Sequence, residues 1–368
     1  MHKHRLRVGI IGLQPGQSWA ARAHIPALRA LPDRFDIAGV ANRSRSSAEE
    51  AGKAYNIRAF ASVDELVNSP DVDIVTVTVR VPNHKEVVRK AIAAGKSIYC
   101  EWPLGRDLGE AEALAAMAAE HRIKTVIGTQ ARLAPEMLYL RELMDKEYLG
   151  GILSSAVLAY GRGWGATISD EKRESYLLDK ANGATMLSIP VGHTLAAMQD
   201  IIGSVKKVSS NVGNRRNSAL SLQDGKSIAM TAPDQVLVNG VTDNNILFSL
   251  HYRGGTAPDG HGLIWELNGT KGVIRITGPS GHTQMVPLKI ECCLFGDTAF
   301  KPVPVPETFL QGGPADVIPG NVARMYSRLA SDLQTGMHTA TGFGDAVRLH
   351  RLLTAIEKSS ECGTRITV

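Results

Sequence analysis

Three short stretches hold residues whose types and spacing suit chemistry. The first is "VGIIGLQPGQSWAARAHIPAL" (Val8–Leu28). A glycine turn directly after a β-branched run, followed by a helix, lets backbone amides reach a pyrophosphate. Gly12 stands where that turn needs a glycine. The second glycine of a G-x-G-x-x-G fingerprint would fall at Gln14, so the loop is longer than the fingerprint. Its amides would come from Gly16, Gln17, Ser18 and Trp19. A plain glycine-rich turn is the alternative. The second stretch, Asn42-Arg43-Ser44-Arg45, follows a second β-branched run. An acid there would bond a ribose 2′-hydroxyl; this chain offers arginines and a hydroxyl instead. Arg43 can stack on adenine and grip a 2′-phosphate, with Ser44 and Arg45 donating. That favours NADP(H), with NAD(H) as the alternative; a solvated basic turn is the plainer reading. The third stretch, Glu101-Trp102-Pro103-Leu104, ends an apolar run. Its indole ring either packs a core or faces a ligand.

These residues need elements to position them. Leu6–Leu13, Phe35–Asn42, Asp73–Val79, the run ending at Trp102, and Thr125–Gln130 read as strands. Helical segments at Trp19–Ala30, Ser46–Tyr55, His84–Ala94 and Gly109–His121 alternate with them. Continuous apolar strands joined by helices through short links predict a parallel, doubly wound sheet. After about residue 150 strand follows strand: Ile152–Tyr160, Val205–Val212, Asn245–Tyr252, Gly262–Thr277 with a hairpin at Asn268–Gly272, and Met285–Cys293. That pattern predicts a large, mainly antiparallel sheet. One helix near Gly183–Ile202 sits among these strands, and two more, Val322–Thr335 and Gly344–Ser359, close the chain. The expected division is a dinucleotide-binding domain over 1–130 and a substrate-binding and oligomerisation domain over 131–368, with helix 344–359 packing back on the first.

The length of 368 residues suits two domains. With 43% hydrophobic and 21% charged residues, the composition is that of a water-soluble globular protein with an ample core. The net charge of +5 is scattered, without a basic run carrying interleaved aromatics, so no direct nucleic-acid binding is expected. No run of about 20 apolar residues argues for a membrane span. Four cysteines without a C-x-x-C pair argue against structural zinc and for a reducing, cytoplasmic setting; no metal is expected.

The ordered motifs "VGIIGL", "AHIPAL", "DVDIVTVTVRVPNH", "AIAAGKSIYCEWPL", "IGTQARLAPEMLYLRELM", "LGGILSS", "NGATMLSIPVGH" and "LNGTKGVIRI" resemble the glucose–fructose oxidoreductase/inositol dehydrogenase (Gfo/Idh/MocA) family from about Leu6 to Ser360. "GQSWAARAHIPAL" with "CEWPLG" looks most like the branch containing the fungal galactose-pathway repressor. The resemblance implies a Rossmann domain, then an α+β domain whose large open sheet pairs subunits into a homodimer or homotetramer.

The resemblance also implies a site, with two departures. The family's Glu-Lys-Pro reads Glu101-Trp102-Pro103, so the proton-moving lysine is Trp102. The family's Asp four residues before His is Ile189, leaving His193 alone. An indole N–H only donates, so Trp102 is a wall of the site and His193 the acid/base, with Tyr160 a weaker candidate. A histidine satisfied within its helix is the plainer reading of His193. Val79, Pro82, Asn83, His84, Glu101 and Gln130 are placed beside the nicotinamide ribose. Arg132, Trp164, Tyr176 and Lys180 are placed on the substrate side, Trp164 as a cap on a mobile loop. Arg132 packed at the domain seam and Lys180 merely solvated are the alternatives. The expected activity is transfer of hydride between NADP(H) or NAD(H) and a small organic substrate lying between the domains, reduction of an activated C=O, C=C or C=N bond ahead of sugar oxidation. A nucleotide-bound regulator without catalysis is the first alternative, a sugar or polyol dehydrogenase with rearranged acid/base residues the second.

Overall fold

The computed structural model describes residues 5–16 and 18–368. The predicted parallel sheet is present, with strand order β2-β1-β3-β4-β5. Its strands are β1 (Leu6–Ile11), β2 (Phe35–Ala41), β3 (Ile74–Val77), β4 (Ser97–Glu101) and β5 (Thr125–Gly128). Val8, Ile10, Val75 and Ile98 are fully buried, as strands covered on both faces require. The connecting helices are α1 (Ile25–Arg29), α2 (Arg45–Tyr55), α3 (Val63–Asn68), α4 (His84–Ala93) and α5 (Leu108–Glu120). The segment expected as one helix after β1 is a π-helical turn, Ala20–His24, running into α1. Side-chain caps set the starts of α2, α3 and α5. Ser44 accepts from Ser47 N at 3.3 Å, and Asp107 from Glu110 N at 2.8 Å.

The next stretch contains α6 (Pro135–Asp145), β6 (Ile152–Tyr160), β7 (Thr167–Ile168), α7 (Glu171–Glu174) and α8 (Gly192–Ile202), the last entered through a π-helical turn at Leu187–Val191. Then come β8 (Val205–Gly213), β9 (Ser218–Ser221), β10 (Ser227–Ala229), β11 (Gln235–Thr242), β12 (Leu247–Arg253), β13 (Leu263–Gly269), β14 (Gly272–Gly278), β15 (Lys289–Leu294), β16 (Lys301–Pro302) and the short helix α9 (Glu307–Leu310). After α10 (Val317–Thr335) and α11 (Phe343–Cys362), β17 (Ile366–Thr367) ends the chain. Nine strands form one sheet in the order β16-β15-β14-β13-β6-β12-β11-β8-β17. All its pairings are antiparallel except β6 with β12. The expected hairpin is there, Gly269 opposite Gly272. Alternating exposure along β12 matches a sheet with one packed face. Trp265 and Tyr252 are fully buried on that face.

The chain divides into two compact units, 1–130 with 312–348, and 131–311 with 349–368. The expected second domain over 131–368 therefore needs correction, because 312–348 returns to the first unit. The reason lies in α10, whose buried Tyr326 hydrogen-bonds Thr76 and His24. Helix α11 begins in the first unit and ends in the second.

Candidate active site

In the first unit, Gly12 ends β1 with φ +105°. A Cβ there would sit 2.9 Å from both Val79 N and Val79 Cγ1, so the β1 turn lies directly on the turn after β3. Such an approach is open to glycine alone. The loop beyond is closed on itself. Ser18 Oγ accepts from Gln14 N and donates to Gln14 O, each at 2.9 Å. Ser18 N donates to Gln14 O, and Gly16 N to Tyr55 OH at 3.1 Å. Two of the expected amide donors are thus engaged within the protein, and Gln17 lies outside the described residues. Trp19 keeps a sealed indole N–H with no partner among the described residues. Asn42 spends its side-chain amide on Leu13 O and Ser47 O, both at 2.9 Å, so it fixes the loop rather than offering that group to a ligand. Ser44 caps α2, and Arg45 pairs with Glu49 at 2.8 Å. Arg43 is exposed and has no hydrogen-bond or ion-pair partner among the described residues.

At the end of β4, Glu101 is the terminus of a buried polar chain. Gln130 Nε2 donates to both its oxygens at 2.8 Å. His24 Nε2 meets Oε1 at 3.0 Å, His24 Nδ1 meets Tyr326 OH at 2.8 Å, and Tyr326 OH meets Thr76 Oγ1 at 2.8 Å. One set of proton positions satisfies every link. Thr76 donates to Tyr326, Tyr326 to His24 Nδ1, and His24 Nε2–H to Glu101. Burial pushes the Tyr326 phenol up, so it stays a donor. Trp102 is 6% exposed and precedes a cis proline, Pro103. His84, expected beside the cofactor, is instead sealed below the surface. Its ring nitrogens lie 2.9 Å from Pro103 O and 2.9 Å from Val79 O, bracing the turns after β4 and β3. Burial lowers its pKa. Val79 is half-buried against Gly12, while Pro82 and Asn83 are exposed at the turn after β3.

In the second unit, His193 stands in the first turn of α8, 4% exposed. Its Nδ1 is sealed from solvent and has no partner among the described residues. Burial first, then nearby His282, lowers its pKa to about 3, so the ring is neutral at pH 7. Sequence reading missed His282, which lies in the loop after β14 with only its neighbours Gly281 and Thr283 to mark it. His282 Nε2 donates to Gly161 O at 2.7 Å, leaving Nδ1 as an acceptor 3.4 Å from Gln284 Nε2. Burial and Arg162 lower its pKa to about 4 against the lift of that bond. The two histidine segments are fastened together: Thr194 Oγ1 meets Tyr252 OH at 2.6 Å, and Tyr252 donates to Gly281 O at 2.9 Å.

Other expected substrate residues fare differently. Trp164 is 2% exposed, donates to Leu177 O at 2.8 Å and stacks on His282. Its segment contains β7 and α7. Arg132 forks onto Asp200, through Nε at 2.6 Å and through Nη2. Lys180 is exposed and Tyr176 half-buried. Tyr160 ends β6 and accepts from Arg253 Nη1 at 3.1 Å.

Residues 6–129 match the family described as "Oxidoreductase family, NAD-binding Rossmann fold", and residues 135–278 match "Gal80p, C-terminal domain". The first stretch is thus similar to Gfo/Idh/MocA oxidoreductases and the second to the C-terminal domain of Gal80p. The dehydrogenase aclE of Aspergillus oryzae is 29% identical, covering 98% of this chain and 97% of that protein. The galactose/lactose metabolism regulatory protein GAL80 of Saccharomyces cerevisiae is 25% identical over 99% of this chain and 94% of its own. The crystal structure of a super-repressor mutant of Gal80p from the same yeast superposes with a TM-score of 0.89 at 24% identity, covering 99% of this chain and 98% of that one. An NAD-type dinucleotide fits the first unit on its own geometry. The Gly12 turn, and the Trp19 N–H and Arg43 that have no partner among the described residues, are what such a ligand would use. No helix among the described residues is long and apolar enough to cross a membrane.

Proposed function

We propose that the chain is an NAD(P)(H)-dependent oxidoreductase, NADPH-preferring, passing hydride to or from a small organic substrate. Reduction of an activated C=O, C=C or C=N bond is favoured over sugar oxidation. The observation that carries the reading is His193, a buried neutral imidazole whose Nδ1 meets no protein group. A buried nitrogen without a partner is costly unless a ligand supplies one. A base whose pKa is about 3 takes a proton from an alcohol poorly. A neutral ring that positions an already activated acceptor through a hydrogen bond is better matched to it. The dinucleotide, when bound, supplies or accepts the hydride; Gly12, Trp19 and Arg43 would hold it, with Trp102 as an apolar wall. Exposed Leu237 and Leu247, at 40% and 59%, support oligomerisation through the outer face of the nine-stranded sheet. Four free thiols support a reducing, cytoplasmic setting.

The test is NADPH consumption with a panel of carbonyls, enones, imines and sugars, for wild type and His193→Ala. Turnover lost in the variant with cofactor affinity intact supports the reading. The Gal80p-like match over 135–278, with Trp102 and Ile189 at the family's polar positions, favours a second reading as a nucleotide-bound regulator. NADPH binding without turnover on any panel member would select that one.

A further inference from the structure

A cavity of about 190 Å³ opens in the second unit, lined by Tyr160, Arg162, Thr256, Pro279, Ser280 and Val286 among others. Its polar groups are donors. The Tyr160 oxygen already accepts from Arg253, which leaves its own O–H to give. Ser280, 5% exposed, accepts from His282 N at 3.2 Å and likewise keeps a hydroxyl proton to give. Arg162 is exposed, and neither it nor Arg253 has an acidic partner among the described residues. Asp234, just before β11, is committed to Arg216 and to Arg215 N. The pocket therefore carries uncompensated positive charge and no carboxylate in its lining.

The backbone at Arg162 points the same way. In Gly161–Gly165 the residues with positive φ are Arg162 at 60° and Trp164 at 55°, not the glycines between them. A non-glycine residue there costs about 1 kcal/mol. Hydrogen bonds fix the strained turn: Arg162 N to Gly255 O at 2.8 Å, Gly255 N to Gly163 O at 2.9 Å, Gly161 N to Arg253 O at 2.8 Å. The turn also presses on the next strand, since a Cβ at Gly254 would fall 2.0 Å from Trp164 O. Trp164 recovers its cost by burial, but the exposed Arg162 adds nothing to the core. Glycine would be the cheaper residue at 162 unless the guanidinium has a partner to bind.

We propose that this pocket binds a small organic carboxylate with an apolar body, gripped by Arg162 with Tyr160 and Ser280 donating and with Pro279 and Val286 against the body. A guanidinium fork matches a carboxylate in two parallel bonds. The proposal rests on the oxidoreductase reading only in taking that carboxylate to belong to the substrate.

Benzoate and its neutral isostere benzamide are the probes, titrated calorimetrically without cofactor. Wild type binds benzoate roughly tenfold or more tightly than benzamide. Arg162→Gly removes that preference while its thermal midpoint stays equal or rises, because the strained φ is relieved. Arg162→Lys, with the charge but not the fork, keeps part of the preference. Equal binding of the two probes to wild type, or a preference unchanged in Arg162→Gly, overturns the proposal. NADPH titration of the same samples separates the two readings, because loss of cofactor binding would sink the oxidoreductase reading and leave the benzoate result standing.

Discussion

His24 and Glu101, 77 positions apart, meet at 3.0 Å inside a chain of hydrogen bonds that reaches Tyr326 and Thr76. It ties the π-helical turn after β1, the end of β4 and the returning helix α10 into one unit. His24→Ala leaves the Tyr326 hydroxyl and one Glu101 oxygen short of a partner. We expect a loss of about 3 kcal/mol, and about 1 kcal/mol for Tyr326→Phe. Urea midpoints at constant m-value measure both, and a change under 0.5 kcal/mol for His24→Ala would show the chain to be incidental.

His193 and His282 make stability depend on pH. Their folded pKa values, about 3 and about 4, lie below the usual value near 6.5. Between these limits the unfolded chain binds more protons, so stability is complete above about 6.5 and falls as the pH drops. Each histidine contributes a slope of about 1.4 kcal/mol per pH unit in that window. Urea unfolding of wild type and His193→Gln between pH 4.5 and 7.5 should show the shallower slope in the variant. Parallel curves would refute the assignment.

The proposed NADPH preference depends on Arg43, which follows β2 and has no ion-pair partner among the described residues. Arg43→Ala should weaken NADPH binding roughly tenfold and NADH binding little. Fluorescence titration of both nucleotides checks this, and equal losses for the two would remove the 2′-phosphate argument.

Gly12→Ala places a methyl 2.9 Å from Val79 N at a φ of +105°. Stability should fall by about 2 kcal/mol and nucleotide affinity with it. Gly16→Ala, with nothing within 4 Å of its Cβ, is the control for loop chemistry without contact. Calorimetric unfolding with and without NADPH reads both effects.

The parallel sheet was legible because a strand buried on both faces writes itself as an unbroken β-branched run. The antiparallel strands were legible as elements, but not the order that seats β6 between β12 and β13. Their alternation records a face, not a neighbour. The return of α10 was hidden for the same reason, since nothing local in Tyr326 announces His24 as its partner. At the candidate site, Gly12 and His193 stood out in the sequence by position. His282 was not, because a lone histidine in a loop has no periodicity to betray it. For Trp164 and Arg132, residue type alone does not tell a ligand contact from an indole hydrogen-bonded in the core or a guanidinium forked onto Asp200.

The interrupted first unit also has a consequence for synthesis. Its sheet is complete by Gln130, but α10, which packs on α1 and the π-helical turn, follows only after residues 131–311. At about 5–20 residues per second, the ribosome needs on the order of tens of seconds for that insertion. Through that interval the nascent sheet waits with His24 and the α1 face uncovered, a natural docking time for a chaperone. The sheet that is translated first is closed only near the end of synthesis.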